Sequence, residues 1–218
     1  MAVRIGLIHA TPVSLEPIQS AFAAHWPDAA LMNILDDSLS QDRMGSAELT
    51  PEMIGRFERL ARYAVDYGAN AVLFTCSAFG PAIEAAARAV AVPVLKPNEA
   101  MFDAALEQGG RVGMVVTFGP SVAPMTREFH EAARQHAREA TLTTVLADGA
   151  MDALRRGNVE LHNRLVAQAA QTLSDVDVIM LAQFSTSRAL DAVAARIGVP
   201  VLTAPTAAIA QLRSKLPS

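Results

Sequence analysis

The 218-residue chain contains a single cysteine, Cys76, which excludes an intrachain disulfide and a multi-cysteine metal site. Its five histidines never fall at an HExxH-type spacing, so no metal motif is present. Positive charge is also sparse. Eighteen Lys and Arg against 22 Asp and Glu give a net charge of −4, and arginines such as Arg127, Arg134 and Arg138 are scattered. That leaves no basic footprint for nucleic acid or an anionic membrane surface. The opening MAVRIGLIHATP holds an apolar run only from Ile5 to Ile8, too short for a signal-peptide core or a membrane span. The expectation is therefore a cytoplasmic protein. No dinucleotide or P-loop glycine spacing occurs, which argues against a nucleotide site.

Apolar residues make up 51% of the chain, enough for a well-buried core. They fall in short runs separated by longer amphipathic segments. The runs predict strands over 3–9, 30–35, 71–74, 94–95, 112–116, 141–146, 178–181 and 201–202. The amphipathic segments predict helices over 15–25, 51–67, 81–91, 98–108, 124–139, 151–157, 159–173, 187–197 and 205–215. Strands this continuously apolar, alternating with helices, read as parallel strands covered on both faces in a doubly wound α/β fold.

The order repeats. Shifting the chain by 107 positions without a gap lays Ile5-Gly6-Leu7-Ile8 on Val112-Gly113-Met114-Val115, and Ser14 on Ser121. The same shift lays GANAVLFTC on DVDVIMLAQ, and Val92-Pro93-Val94-Leu95 on the identical Val199-Pro200-Val201-Leu202. Two pseudosymmetric lobes are expected, one from 1–97 with 205–218 and the other from 98–204. Under this shift Cys76, at the end of its strand, falls on Gln183.

Ligands of open α/β sheets bind beyond the carboxyl ends of the strands, so two facing lobes converge on one cleft. The residues after each strand are small and polar: His9 to Thr11, Asp36-Asp37-Ser38, Thr75-Cys76-Ser77, Thr117 and Gln183 to Ser187. Turns such as TCSAFGP and TFGPS just before helices present free N–H groups suited to a carboxylate or an oxyanion. Cys76 precedes a predicted helix, whose N-terminus is expected to lower the thiol pKa and so prepare a nucleophile or carbon-acid base. Gln183 is no acid or base near neutral pH; its amide either orients substrate or satisfies loop backbone. Ser185, Thr186 and Ser187 form an anion nest or cap the following helix. Thr117 donates its hydroxyl to a carboxylate or belongs to a plain turn. His9 either supplies a second proton donor or is tied to loop backbone. Asp37 reaches the cleft or caps a turn.

Two α/β lobes, a cysteine in VLFTCSAFG and the matched strand end in IMLAQFSTS resemble the aspartate/glutamate racemase superfamily. That group includes glutamate, aspartate and hydantoin racemases, maleate cis–trans isomerase and arylmalonate decarboxylase. The resemblance covers nearly the whole chain, with HATP at 9–12, the VPVL segments and Thr117 fitting as well. It implies cofactor-independent chemistry on a small carboxylate, often in a dimer, with two cysteines exchanging protons across the substrate carbon. By position Cys76 matches the first cysteine, and Ser77 and Thr117 match carboxylate-binding positions. Gln183 stands where the second cysteine belongs, and His9-Ala10 replaces the Asp-Ser pair of the glutamate racemases.

The expectation is a racemase- or isomerase-like enzyme. Cys76 is its thiol base or nucleophile, and His9, Thr11, Asp37, Thr75, Ser77, Thr117, Gln183, Ser185 and Thr186 surround the substrate. A single-thiol lyase, a catalytically silent acid-binding protein and a cysteine hydrolase using His9 are the alternatives.

Overall fold

The computed structural model describes residues 2–46 and 48–216. The sequence-based lobe limits 1 and 218, and position 47 of the 36–50 loop, lie outside the described residues. Eight strands form two four-stranded parallel sheets. The first holds β1 (Arg4–His9), β2 (Ala30–Leu35), β3 (Ala71–Phe74) and β4 (Val94–Leu95) in the order β2-β1-β3-β4. The second holds β5 (Arg111–Val116), β6 (Thr141–Leu146), β7 (Val178–Leu181) and β8 (Val201–Thr203) in the order β6-β5-β7-β8. Strand pairing repeats with the 107-residue shift: Gly6 lies beside Met32 and Val72, Gly113 beside Thr143 and Ile179.

Among the described residues, ten α-helices accompany the strands: α1 (Leu15–His25), α2 (Ser38–Met44), α3 (Pro51–Asp66), α4 (Gly80–Ala89), α5 (Glu99–Gln108), α6 (Val122–Gln135), α7 (Ala150–Arg155), α8 (Val159–Ala170), α9 (Leu190–Ala194) and α10 (Ala204–Lys215). Three differences from the sequence expectation have local causes. α2 lies inside the segment read as a loop, because SLSQDRM carries one buried apolar residue, Leu39, and so shows no helical stripe. The helix expected over 187–197 begins instead as a 3-10 turn, Phe184–Ala189, and becomes α-helical only at Leu190. α6 starts at Val122, two residues before the Pro124 taken as its first position, following a 3-10 turn at Gly119–Ser121.

The central strands β3 and β7 are apolar at every position because they are buried on both faces. Alternate residues then join different cores. Ile5, Leu7, Ala71, Leu73, Val112, Met114, Val178 and Met180 point inward to one core shared by both sheets and completed by Phe102, Phe129 and Ile209. Ile8, Val72 and Phe74 pack outward with Phe57 and Phe79 in a second core. Val115, Ile179 and Leu181 do so with Val166 and Val193 in a third. The shared core brings the carboxyl ends of β1, β3, β5 and β7 to one cleft. Gly6 and Gly113 mark equivalent close approaches on the outer faces: a Cβ would stand 2.9 Å from Ala64 Cβ at Gly6 and 2.9 Å from Leu173 Cδ1 at Gly113.

Candidate active site

A cavity of about 60 Å³ lies between the carboxyl ends of the two sheets. It is lined by Ala10, Thr11, Ser14 and Thr75 to Phe79 from one lobe, and by Phe118, Ser121, Met151, Arg155 and Gln183 to Ser185 from the other, with Ser40 at its edge. Thr11, Thr75, Cys76, Ser77, Gln183 and Ser185 thus meet around one space.

The remaining sequence-selected residues lie elsewhere. His9 is fully buried behind the lining. Thr117 sits under Gln183 and lines a shallower neighbouring hollow. Thr186 is fully buried and turned onto the backbone of Gln183, whose carbonyl accepts its hydroxyl at 2.6 Å. Asp37 is exposed at the start of α2 and does not line the cavity. It is Asp36 that is engaged there: against the cost of partial burial, a hydrogen bond from the Ser38 hydroxyl and the ion pair with Arg56 hold its carboxyl below its usual range.

Cys76 corrects one expectation. α4 begins only at Gly80, after a loop, so the thiol does not sit at the helix terminus. Burial pushes it up to about 12, while hydrogen bonding with the backbone of Ala10 and Thr75 offsets only part of that cost. Desolvation outweighs the local N–H groups, and the resting state is the neutral thiol.

Opposite it, the Gln183 amide is spoken for on both sides. Its Oε1 accepts from the Thr117 backbone N–H at 2.9 Å and from the Thr117 hydroxyl at 3.3 Å, and its Nε2 donates to Ser121 Oγ at 2.7 Å. Thr117 is one of the residues that the resemblance gives to a substrate carboxylate. Both of the open alternatives for Gln183 therefore meet in one residue: it lines the cavity, and it satisfies loop backbone. The first lobe is different. His9 Nδ1 lies 2.9 Å from Thr75 Oγ1 and 3.2 Å from Ser14 Oγ, its Nε2 lies 3.1 Å from Asn33 Oδ1, and burial lowers its pKa. The lobes also grip each other near the cavity. Ser77 Oγ donates to the Ala182 carbonyl at 3.5 Å, and Arg188 donates to the Val13 carbonyl at 2.8 Å.

Four polar lining residues, Ser14, Ser40, Ser121 and Arg155, escaped the sequence reading. Ser14 and Ser121 coincide under the 107-residue shift, and that pairing was the available signal. Arg155, the one lining residue with a formal charge, carried none, because an arginine late in a short helix resembles any solvated surface residue. Among the described residues no cluster of His, Cys, Asp and Glu is arranged to hold a metal ion, and no helix is long and apolar enough to cross a membrane.

A family model described as Asp/Glu/Hydantoin racemase matches residues 8–212. No match is found among curated proteins. Among solved structures, glutamate racemase from Francisella tularensis subsp. tularensis SCHU S4, crystallised with D-glutamate, superposes with a TM-score of 0.71 at 14% identity, covering 98% of this chain and 80% of that one. Allantoin racemase from Klebsiella pneumoniae gives 0.70 at 18% identity, over 97% of this chain and 86% of the other. Arylmalonate decarboxylase gives 0.68 at 19%, over 97% and 92%. At these identities the likeness is one of fold.

Proposed function

The chain belongs to the Asp/Glu/hydantoin racemase family, and from that premise we propose that it is a cofactor-independent enzyme that moves a proton at the carbon next to a small carboxylate, using Cys76 as a one-sided thiol acid. The carrying observation is the engagement of Gln183. Its carbonyl oxygen is taken up by Thr117 and its nitrogen by Ser121, and an amide has no proton to trade near neutral pH. Exchange between two opposed thiols, the route of a two-cysteine racemase, has no second participant. A neutral buried thiol suits the remaining task, which is to give a proton to one face of a carbanion or enediolate. That is the demand of a decarboxylation, where loss of CO₂ leaves the electron pair that the thiol protonates. Ser77, Ser185 and the backbone N–H groups beyond β3 and β7 are placed to hold the carboxylate or enediolate. Arg155 gives the cavity its positive charge. Oriented donors of this kind are each worth about 3–4 kcal/mol of transition-state stabilisation.

The high thiol pKa favours a second reading as well: a silent receptor for a small acid. One experiment separates the two. The protein is incubated in D₂O with a panel of 2-substituted malonates, amino acids and hydantoins. NMR follows CO₂ loss and deuterium incorporation, and chiral chromatography follows stereochemistry. Single-face deuterium incorporation that disappears in Cys76→Ala supports the enzyme. Ligand-dependent thermal stabilisation without any turnover supports the receptor. Racemisation that survives Cys76→Ala defeats the thiol role.

A further inference from the structure

The first lobe holds a titratable group that the proposed reaction does not yet use. His9 is fully buried, and each ring nitrogen has a partner. The Asn33 Oδ1 can only accept, so Nε2 carries the proton that it donates to Asn33, and Nδ1 presents a lone pair to the hydroxyls of Ser14 and Thr75. Those hydroxyls lie 2.9 Å apart, and both line the cavity that Cys76 lines. Ser14 has a further acceptor in the Thr11 carbonyl at 2.9 Å, and Thr75 a weaker one in the Ile8 carbonyl at 3.4 Å. Either hydroxyl can therefore turn its proton away when the ring arrives protonated, so the network stays satisfied in both charge states. A proton acceptor, hydroxyls facing the reaction space and a third group fixing the ring is the arrangement by which enzymes activate a nucleophile or base. The equivalent positions in the second lobe have no such group: the 107-residue shift puts Val116 at His9 and Ala182 at Thr75.

We infer that His9, held by Asn33 and acting through the Ser14 and Thr75 hydroxyls, is the proton partner of Cys76 on its own side of the cavity. The inference rests on Cys76 being the working thiol and deepens that reading. The step balances as an internal transfer. The S–H bond of Cys76 breaks and its proton passes to Ser14 or Thr75. That hydroxyl's own proton forms the N–H bond at His9 Nδ1, leaving a thiolate and an imidazolium. After the thiol has protonated a substrate carbanion, a proton taken up from water by His9 travels the same path in reverse and reloads it. Where the thiol and the hydroxyls do not touch, water in the cavity they share carries the proton between them. His9 does not touch the cavity, so its role is that of a positioning residue which handles the proton at one remove.

The test needs no substrate, because Cys76 is the only thiol in the chain. The rate of alkylation by iodoacetamide is measured from pH 5 to 11 for the wild type and for His9→Gln, whose amide keeps a donor and an acceptor but cannot take up a proton. The expected wild-type profile has a limb below neutrality, where the imidazole becomes free to take the proton of the neutral thiol as it attacks, before the alkaline rise. In His9→Gln that limb vanishes, and the rate at pH 7 falls at least tenfold. Ser14→Ala combined with Thr75→Val leaves the imidazole in place, cuts the path and gives the same loss; it also serves if His9→Gln fails to fold. A wild-type profile with only an alkaline rise, or a limb that persists in the variants, overturns the inference. The readout does not depend on turnover. A protein inert towards the D₂O panel but showing the His9-dependent limb rejects the enzyme reading and keeps the proton pair, and the opposite outcome does the reverse.

Discussion

The two strand ends that face each other across the cavity start from the same backbone and end with opposite chemistry. At the end of β3, Cys76 is followed by a loop, is desolvated, and neighbours a histidine reached through two hydroxyls. At the end of β7, Gln183 is followed at once by a 3-10 turn, and Thr186 closes a reciprocal cap on its backbone. Its side chain turns back onto Thr117 and Ser121. One half-site sets a thiol near an imidazole and two hydroxyls. The other spends its amide on Thr117 and Ser121 of its own lobe. Fold symmetry therefore does not carry catalytic symmetry: a pseudotwofold repeat duplicates where side chains are presented, while what each can do depends on its partners.

The sharpest way to break the comparison is to silence the active half. Cys76→Ala is expected to lower turnover by roughly three orders of magnitude with the fold retained, measured as deuterium incorporation from D₂O alongside circular dichroism. Next is to make the silent half resemble the active one. Gln183→Cys places a second thiol on the opposite side, and the expected outcome is loss of stereochemical purity in a product that the wild type protonates from one face. Product that stays optically pure would mean that the second face is closed for reasons other than side-chain identity.

Removing the silent half's polar role should cost stability instead. Gln183→Leu strands the Thr117 N–H and frees Ser121, with an expected loss of about 2 kcal/mol in urea unfolding. A smaller pair of effects tests the symmetry of the scaffold itself. Gly6→Ala and Gly113→Ala each press a methyl against a neighbour at 2.9 Å, and each is expected to cost about 1 kcal/mol. Unequal costs would show that one lobe yields more easily.

The last prediction concerns pH. The Cys76 thiol is raised from 9.0 to about 12 by burial. The unfolded chain ionises it first, so above pH 9 the unfolded state binds fewer protons and native stability falls, until the native thiol ionises near 12. Between pH 9.5 and 11 the wild type should lose about 1 kcal/mol per pH unit more than Cys76→Ala, read from urea midpoints at each pH.

Much of this was legible in the sequence. Eight strands were expected and eight are present, with central ones such as Val178–Leu181 reproduced residue for residue, because burial on both faces forces an uninterrupted apolar run. The helix Ser38–Met44 was not legible, since one buried leucine makes no periodic signal. The site divided the same way. Cys76, Ser77 and Ser185 could be placed from their position after a strand. Arg155 could not, because its approach to the cavity depends on how α7 packs and not on any local pattern. Asp37 was chosen for being acidic and next to a strand end, but it is its neighbour Asp36 that pairs with Arg56, and Asp37 stands in solvent.

By itself the sequence determined the alternation of strands and helices, the 107-residue repeat, and the equivalence of Cys76 with Gln183, because apolar periodicity and strand ends are local properties written in consecutive residues. Only the tertiary structure decided that the thiol is raised rather than lowered, that Gln183 is saturated by its own lobe, and that His9 joins Ser14, Asn33 and Thr75. Those outcomes depend on desolvation and on hydrogen-bond partners as far as 66 residues away in the chain, and such partners exist only once the sheets have closed on their shared core.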